Sequence, residues 1–293
     1  MQTTTPSPGA PQRWRATSHL GIEVAEPSTI VLQVAPVAAA GLEVTEDLRV
    51  VLDGRPLPVR RIRGDHGGAV DIVQSPPGSL AIDLDATVVG LPGSGPDPGA
   101  GGGAGEPAGL DLEQLTYLRQ SRYCPSDRFS GFAAYELGHL APGPELLAAV
   151  CDWVGSRLTY EVGASGPLDT AVDSFFTGRG VCRDFGHLAI TVLRALEVPA
   201  RLVAAYAPGL APMDFHAVVE AYVGGRWWAL DPTRLAPRPT LLRIATGRDA
   251  ADTAFLTTLA GQATLVETEV VAFTEGVLPL DDHLGPVHLP DVP

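Results

Sequence analysis

Between His19 and Val88 apolar and polar positions alternate in short runs, as in STIVLQVAPV, LEVTEDLRVVLDG, GAVDIV and SLAIDLDATVV, and helical spacing is absent. A period of two, β-branched residues and turn residues such as Asp53-Gly54 predict about six strands in a β-sandwich. The pattern stops at a Gly/Pro tract, residues 91–110, which cannot bury a core and predicts a flexible linker. Beyond it the period changes. PELLAAVCDWVGSRLTYE has apolar residues at 146, 147, 150, 151, 154 and 158, and GRGVCRDFGHLAITVLRAL has Phe185, Ala189, Val192, Leu193 and Leu196 on one stripe before Pro199. Both are one-sided helices. ARLVAAYA, FHAVVEAYV and RWWALDPT then read as consecutive strands of an antiparallel sheet, with Gly224-Gly225 as a hairpin turn and TLLRIAT as a further strand.

The fold class predicted is α+β. An N-terminal β-sandwich domain (1–90) and a linker (91–110) precede a domain of helices packed on an antiparallel sheet (111–275), and a frayed tail (276–293) follows. A length of 293 residues suits two domains. The sandwich offers no clustered reactive groups and reads as a structural or substrate-gating module.

Composition narrows the function. Mean hydropathy is +0.14 with 45% hydrophobic residues, yet no run reaches the roughly 18 uncharged apolar residues of a membrane span. The first twenty residues lack an apolar stretch behind a basic start, so the expectation is a soluble, cytoplasmic protein. A net charge of −14 without any basic cluster argues against nucleic acid and anionic membranes as partners. All 20 basic side chains are arginine. Three cysteines, Cys124, Cys151 and Cys182, form no C-x-x-C pair and predict free thiols rather than disulfides or a zinc site. No metal or organic cofactor is expected.

The candidate chemistry gathers at Cys182. It falls in the first turn of a helix, where unpaired N–H groups and the helix dipole favour a thiolate. Arg179 and Arg183 add positive charge nearby, and Asp184 opposes them. Gly178 and Gly180 let the chain turn sharply and expose the sulfur. A nucleophilic cysteine needs a base, and the base an orienting group. His216 begins one predicted strand and Asp231 ends the next, 15 residues on across the hairpin, so the two can meet near one edge of the sheet. Of the other reactive side chains, Cys151 lies on a buried stripe and Cys124 reads as packing. His187 sits well around the helix from the sulfur and reads as structural. Arg248 and Asp249 either line a groove or lock a loop through ion pairs.

GVCRDFGHL with LRALEVPARLV, followed by HAVVEAYVGGRWWALDPT, resembles the transglutaminase-like superfamily. SRYCPSD, DFHA and TGRDAADTAF resemble a bacterial subgroup of transglutaminase-like cysteine proteases that carry an N-terminal β domain. The resemblance covers residues 111–272 best and 19–88 more weakly. It implies a papain-like core with Cys182 as nucleophile, His216 as general base and then acid, and Asp231 as the group that orients the imidazole. Val218 departs from the aromatic that many relatives have after the His-Ala pair. The implied reaction is acyl transfer through a thioester. Water as acceptor gives peptide or amide hydrolysis, and an amine or a thioester donor gives a transglutaminase or biosynthetic acyltransferase. A non-catalytic binding protein on the same fold is the rival. The partners implied are a peptide, a protein, or a small amide or thioester.

Overall fold

The structure is a computed structural model, and it describes residues 12–90 and 111–292. The predicted linker, 91–110, lies outside the described residues.

In chain order the sandwich strands are β1 (Gln12–Val24), β2 (Ser28–Leu32), β3 (Leu42–Leu52), β4 (Arg55–Pro56), β5 (Val59–Arg63), β6 (Ala69–Ser75) and β7 (Gly78–Gly90). The helical part follows with α1 (Leu112–Leu118), α2 (Ser130–Leu137), α3 (Pro144–Arg157), β8 (Thr159–Tyr160), α4 (Ala171–Thr177), β9 (Arg179–Gly180) and α5 (Cys182–Ala195). The second sheet and the return comprise β10 (Ala200–Tyr206), β11 (Phe215–Val223), β12 (Arg226–Leu230), β13 (Leu242–Gly247), α6 (Ala250–Thr253), β14 (Leu256–Ala260) and β15 (Ala263–Glu275).

Strict alternation builds the sandwich. In β1 the even positions from Trp14 to Val24 are buried and in β7 those from Leu80 to Val88, so each strand turns one face to a shared core with Ile30, Leu32 and Val73. The two sheets run β15-β1-β7-β3-β4 and β14-β2-β6-β5. Two of these strands come from the far end of the chain, which corrects the predicted boundaries. Residues 256–275, assigned above to the second domain, belong to the sandwich. β15 runs antiparallel to β1 from Arg13↔Glu275 to Val24↔Ala263, and β14 pairs with β2. The physical reason is the outer edge of β1, whose N–H and C=O groups need a partner.

The tail is corrected as well. Arg238 donates to both carboxylate oxygens of Asp281 at 2.8 Å, Ala229 N–H donates to Val287 O at 2.7 Å, and Leu289 is buried. Residues 276–292 are a strap without regular structure, tied down at Asp281, Val287 and Leu289.

The second sheet has the order β12-β11-β10-β13. Helix α5 lies on it through Leu188, Leu193, Leu202, Val219 and Ala221, with α2, α3 and α4 around its other sides. The edge toward β13 joins the sandwich core through Tyr206, Leu242 and Ile244, and the Tyr206 hydroxyl donates to Val34 O at 2.9 Å. Among the described residues no helix is long and apolar enough to cross a membrane.

Candidate active site

Cys182 is the first residue of α5, half-buried at its tip. The approach to it is set by local chemistry. Gly178 has φ 68°, ψ 17°, a left-handed conformation that closes α4 and turns the chain back. Gly180 is required by space, since a Cβ there would stand 2.5 Å from the Asp184 side chain. Asp184, fully buried, accepts from Val181 N–H at 2.8 Å and from the hydroxyls of Ser165 and Ser174. It thus completes half of a capping box, with Val181, which has no side-chain acceptor, in the N-cap position. Arg183 donates to Gly166 O at 2.8 Å and contacts Asp184, while Arg179 pairs with Glu161 at 3.3 Å. Neither arginine is a free charge at the sulfur. Asp184→Ala strands buried donors and is expected to cost about 1–3 kcal/mol of stability, with slower alkylation of Cys182. Melting curves and iodoacetamide kinetics check the two effects.

His216 and Asp231 meet as the hairpin predicts. His216 is near the start of β11, opposite Ala205 of β10, and Asp231 follows the last residue of β12. The imidazole Nε2 lies 2.9 Å from Asp231 Oδ2, with both side chains buried. The other carboxylate oxygen accepts from the Thr233 N–H at 2.9 Å and its hydroxyl at 2.6 Å, so Asp231 is held at both ends. Burial alone disfavours a charged imidazole. The Asp231 carboxylate first, and the nearby Cys182 sulfur after it, outweigh burial and push His216 up to about 10. Burial likewise raises Asp231, but His216 and Thr233 hold it below the usual carboxylate range. Nδ1 makes no full hydrogen bond in this resting geometry and is the nitrogen left for the thiol. Cys182, His216 and Asp231 are therefore brought together, the sulfur at a helix tip and the pair on neighbouring strands.

The remaining residues have structural surroundings. Cys124 and Cys151 are buried, and burial pushes both thiols up to about 12. His187 stacks on Tyr123 with centroids 5.1 Å apart, and its Nε2 accepts from Ala250 N–H at 3.1 Å. Arg248 and Asp249 hold a loop, the first by an ion pair and the second by hydrogen bonds. Arg248 pairs with Asp252 at 2.8 Å, and Asp249 accepts from the N–H groups of Tyr123 and Ala251 at 2.9 Å.

Three supporting roles near the site escaped the sequence reading. Thr233 was signalled by its place two residues after Asp231, an Asx-turn spacing. Asp184 was signalled as the third helical residue, where a carboxylate caps. Tyr160 had no local signal. It is brought opposite Gly180, two residues before Cys182, by the parallel pairing of β8 with β9.

Residues 133–232 match the sequence profile of the transglutaminase-like superfamily. A protein of Mycobacterium leprae (strain TN), described as uncharacterized, is 33% identical over 120 residues, which are 37% of this chain and 42% of that relative's length. The chain therefore spans less than half of this relative. A crystal structure from Cytophaga hutchinsonii, of a protein named as a candidate cysteine protease, is similar with a TM-score of 0.85 and 29% identity, covering 94% of this chain and 96% of the other. The periplasmic domain of TgpA from Pseudomonas aeruginosa is more distant, with a TM-score of 0.39 and 18% identity over 74% of this chain and 90% of that one.

Proposed function

We propose cysteine-dependent acyl transfer at amide bonds, with hydrolysis of a peptide or amide as the reaction, for a chain whose residues 133–232 match the transglutaminase-like superfamily. The observation that carries the reading is the buried His216–Asp231 pair, 2.9 Å apart, beside a half-buried thiol at a helix N-terminus.

The chemistry follows from those positions. An imidazole that stays protonated to about 10 is a proton donor beside the sulfur, and its charge stabilises a thiolate there. The thiolate attacks the carbonyl carbon, and the Cys182 N–H, at the first position of α5, is a donor for the oxygen that becomes negative. His216 gives its proton to the departing amine as the C–N bond breaks, which leaves a thioester and a neutral ring. Water then enters, His216 takes its proton, and the C–S bond breaks to give a carboxylic acid and the thiolate, again beside a charged imidazole. Asp231 keeps Nε2 as the donor nitrogen throughout, so that Nδ1 faces the sulfur in both half-reactions.

The test is mass spectrometry of wild type and Cys182→Ala incubated with mixed peptides, with and without excess primary amine. Cleaved peptides that vanish in the variant are expected. Amine adducts in place of cleavage would make the protein an acyltransferase. Products that do not depend on Cys182, or none at all, would favour the non-catalytic binding protein.

A further inference from the structure

The second sheet buries more hydrogen-bond donors than it answers. Arg201 of β10 stands directly opposite Glu220 of β11, and Arg243 of β13 reaches the same carboxylate. All three side chains are buried. Glu220 accepts from Arg201 Nε and from two nitrogens of Arg243, while Arg201 Nη1 adds a bond to Glu113 and Arg243 Nη1 one to Thr246. A guanidinium carries five N–H groups, which need acceptors when water is excluded. Among the described residues Arg201 is left with three unanswered and Arg243 with two, one of them the buried Nε–H. With two guanidinium groups against one buried carboxylate, the cluster is also positive.

These side chains line the floor of a cavity of about 730 Å³, bounded by α1, β12, the loop between β5 and β6, and the end of the strap. Its size suits a small molecule. The walls are aromatic. Trp227 lies 3.9 Å below the Arg201 guanidinium, and Tyr117 stands edge-on to Trp227 with centroids 5.5 Å apart. His66 Nε2 is 2.6 Å from the Tyr117 hydroxyl, and burial first, with Arg201 after it, holds this imidazole below its ordinary range, so it adds no charge at neutral pH. The mouth has the opposite sign, with Glu113 partly exposed and Asp65 and Asp291 exposed. An anion would pass three carboxylates on entry, and a cation would end against the guanidinium groups. A zwitterion meets neither obstacle. We propose that the cavity binds a small zwitterion with an apolar body, an α-amino acid or a short peptide. Its carboxylate accepts from the free N–H groups of Arg201, its body lies along Trp227 and Tyr117, and its ammonium faces Glu113, Asp65 and Asp291. The site is separate from the triad. Glu220 follows His216 by four residues, on the same face of β11 and about 13 Å along it. The inference therefore goes beyond the acyl-transfer reading and does not depend on it.

The experiment is calorimetric titration of the full chain carrying Cys182→Ala, so that no ligand is turned over. The probes are phenylalanine and alanyl-phenylalanine, with phenylalaninamide lacking the carboxylate and 3-phenylpropionate lacking the ammonium. Saturable binding of phenylalanine, of the dipeptide or of both is expected, and the tighter of the two tells a free amino acid from a peptide end. Phenylalaninamide should bind roughly ten- to a hundredfold more weakly, and phenylpropionate about two- to fivefold more weakly, since the mouth carboxylates are solvated. Thr116→Trp, at a half-buried position lining the cavity, fills the space and leaves the floor intact, so it should abolish binding with the melting temperature retained. Arg201→Gln should abolish it by removing the donors, and should that variant not fold, the ligand series and Thr116→Trp decide. No saturable binding of any probe at millimolar concentration would overturn the proposal, leaving water to answer the donors. Phenylalaninamide binding as well as phenylalanine would overturn it too, as would phenylpropionate binding as well or better. Binding that survives Thr116→Trp would place the ligand elsewhere and overturn the assignment of this cavity.

Discussion

Asp231→Asn is expected to pull the alkaline end of the activity profile down from near pH 10 by roughly one to three units and to slow turnover by about 10²–10⁴-fold. The imidazole is buried, and burial favours its neutral form. What keeps it charged is first the Asp231 carboxylate and then Cys182. Asparagine removes the charge and also cannot satisfy both ends of the site. One carboxylate oxygen accepts from His216 and the other from two donors of Thr233. If the amide oxygen faces Thr233, its NH₂ meets Nε2–H, and if the amide is reversed it meets the Thr233 donors. The ring therefore loses orientation as well as basicity. The stability consequence has a definite sign. Because the folded value lies above the ordinary imidazole value of about 6.5, the pair stabilises the fold fully below pH 6.5, and this contribution is lost as pH rises toward 10. Wild type should lose melting temperature over that window and Asp231→Asn should be nearly flat. An unchanged alkaline limb in the variant would mean that another group sets it.

The sequence reading located the pieces of this site more securely than their supports. Helix α5 was legible because its apolar stripe, its two leading glycines and the stop at Pro199 agree with one another, and His216 and Asp231 because a short hairpin leaves little freedom in where its ends meet. The sandwich was legible from alternation, which states which face of a strand is buried. It does not state the partner. TLVETEVVAF lies in β15, whose partner β1 is 239 to 262 positions away along the chain, and no local feature encodes that pairing. The tail was misread for a related reason. PLDDHLGPVHLPDVP is polar and broken by prolines, yet Asp281 answers the buried Arg238 and Leu289 fills the core behind β12. Asp184 was seen only as a charge opposing Arg179 and Arg183, whereas its work is done by hydrogen bonds to Val181 and to the loop at Ser165. Tyr160 is the extreme case, since a single exposed aromatic after a helix acquires meaning only when β8 and β9 pair.

Glu220→Ala is expected to destabilise the fold by about 3–5 kcal/mol, enough to consume much of the roughly 5–15 kcal/mol by which a domain is stable. Glu220 lies on β11, four residues after His216, as a buried carboxylate between two buried guanidinium groups. Arg201 Nε reaches it at 2.8 Å, and Arg243 reaches it with two nitrogens at 2.6 and 2.9 Å. The Arg201 guanidinium also lies 3.9 Å over the Trp227 ring and donates to Glu113, so the cluster links β10, β11, β12 and β13 with α1. Removing the carboxylate leaves Arg243 without its main partner and sets two like charges together in the same interior. Replacing the whole cluster, by Arg201→Met, Glu220→Leu and Arg243→Met together, is expected to recover most of the lost stability, because no charge is then stranded. Wild type itself carries the corresponding pH signature. Burial raises the Glu220 carboxyl, but Arg243 and Arg201 outweigh it and bring it down to about 2. The contribution of the cluster is therefore whole above the ordinary glutamate value of about 4.3 and disappears as pH falls toward 2. Melting temperatures between pH 5 and 2 should fall steeply in wild type and only weakly in the triple variant. A steep fall in both would place the acid sensitivity in other carboxylates, of which Asp281, drawn low by Arg238, is the next in line. Since β11 holds both Glu220 and His216, loosening the cluster should disturb the site from behind. On the proposed function, activity in Glu220→Ala should follow the folded fraction as temperature is lowered, with the alkaline limb of the folded protein still set by His216 and Asp231.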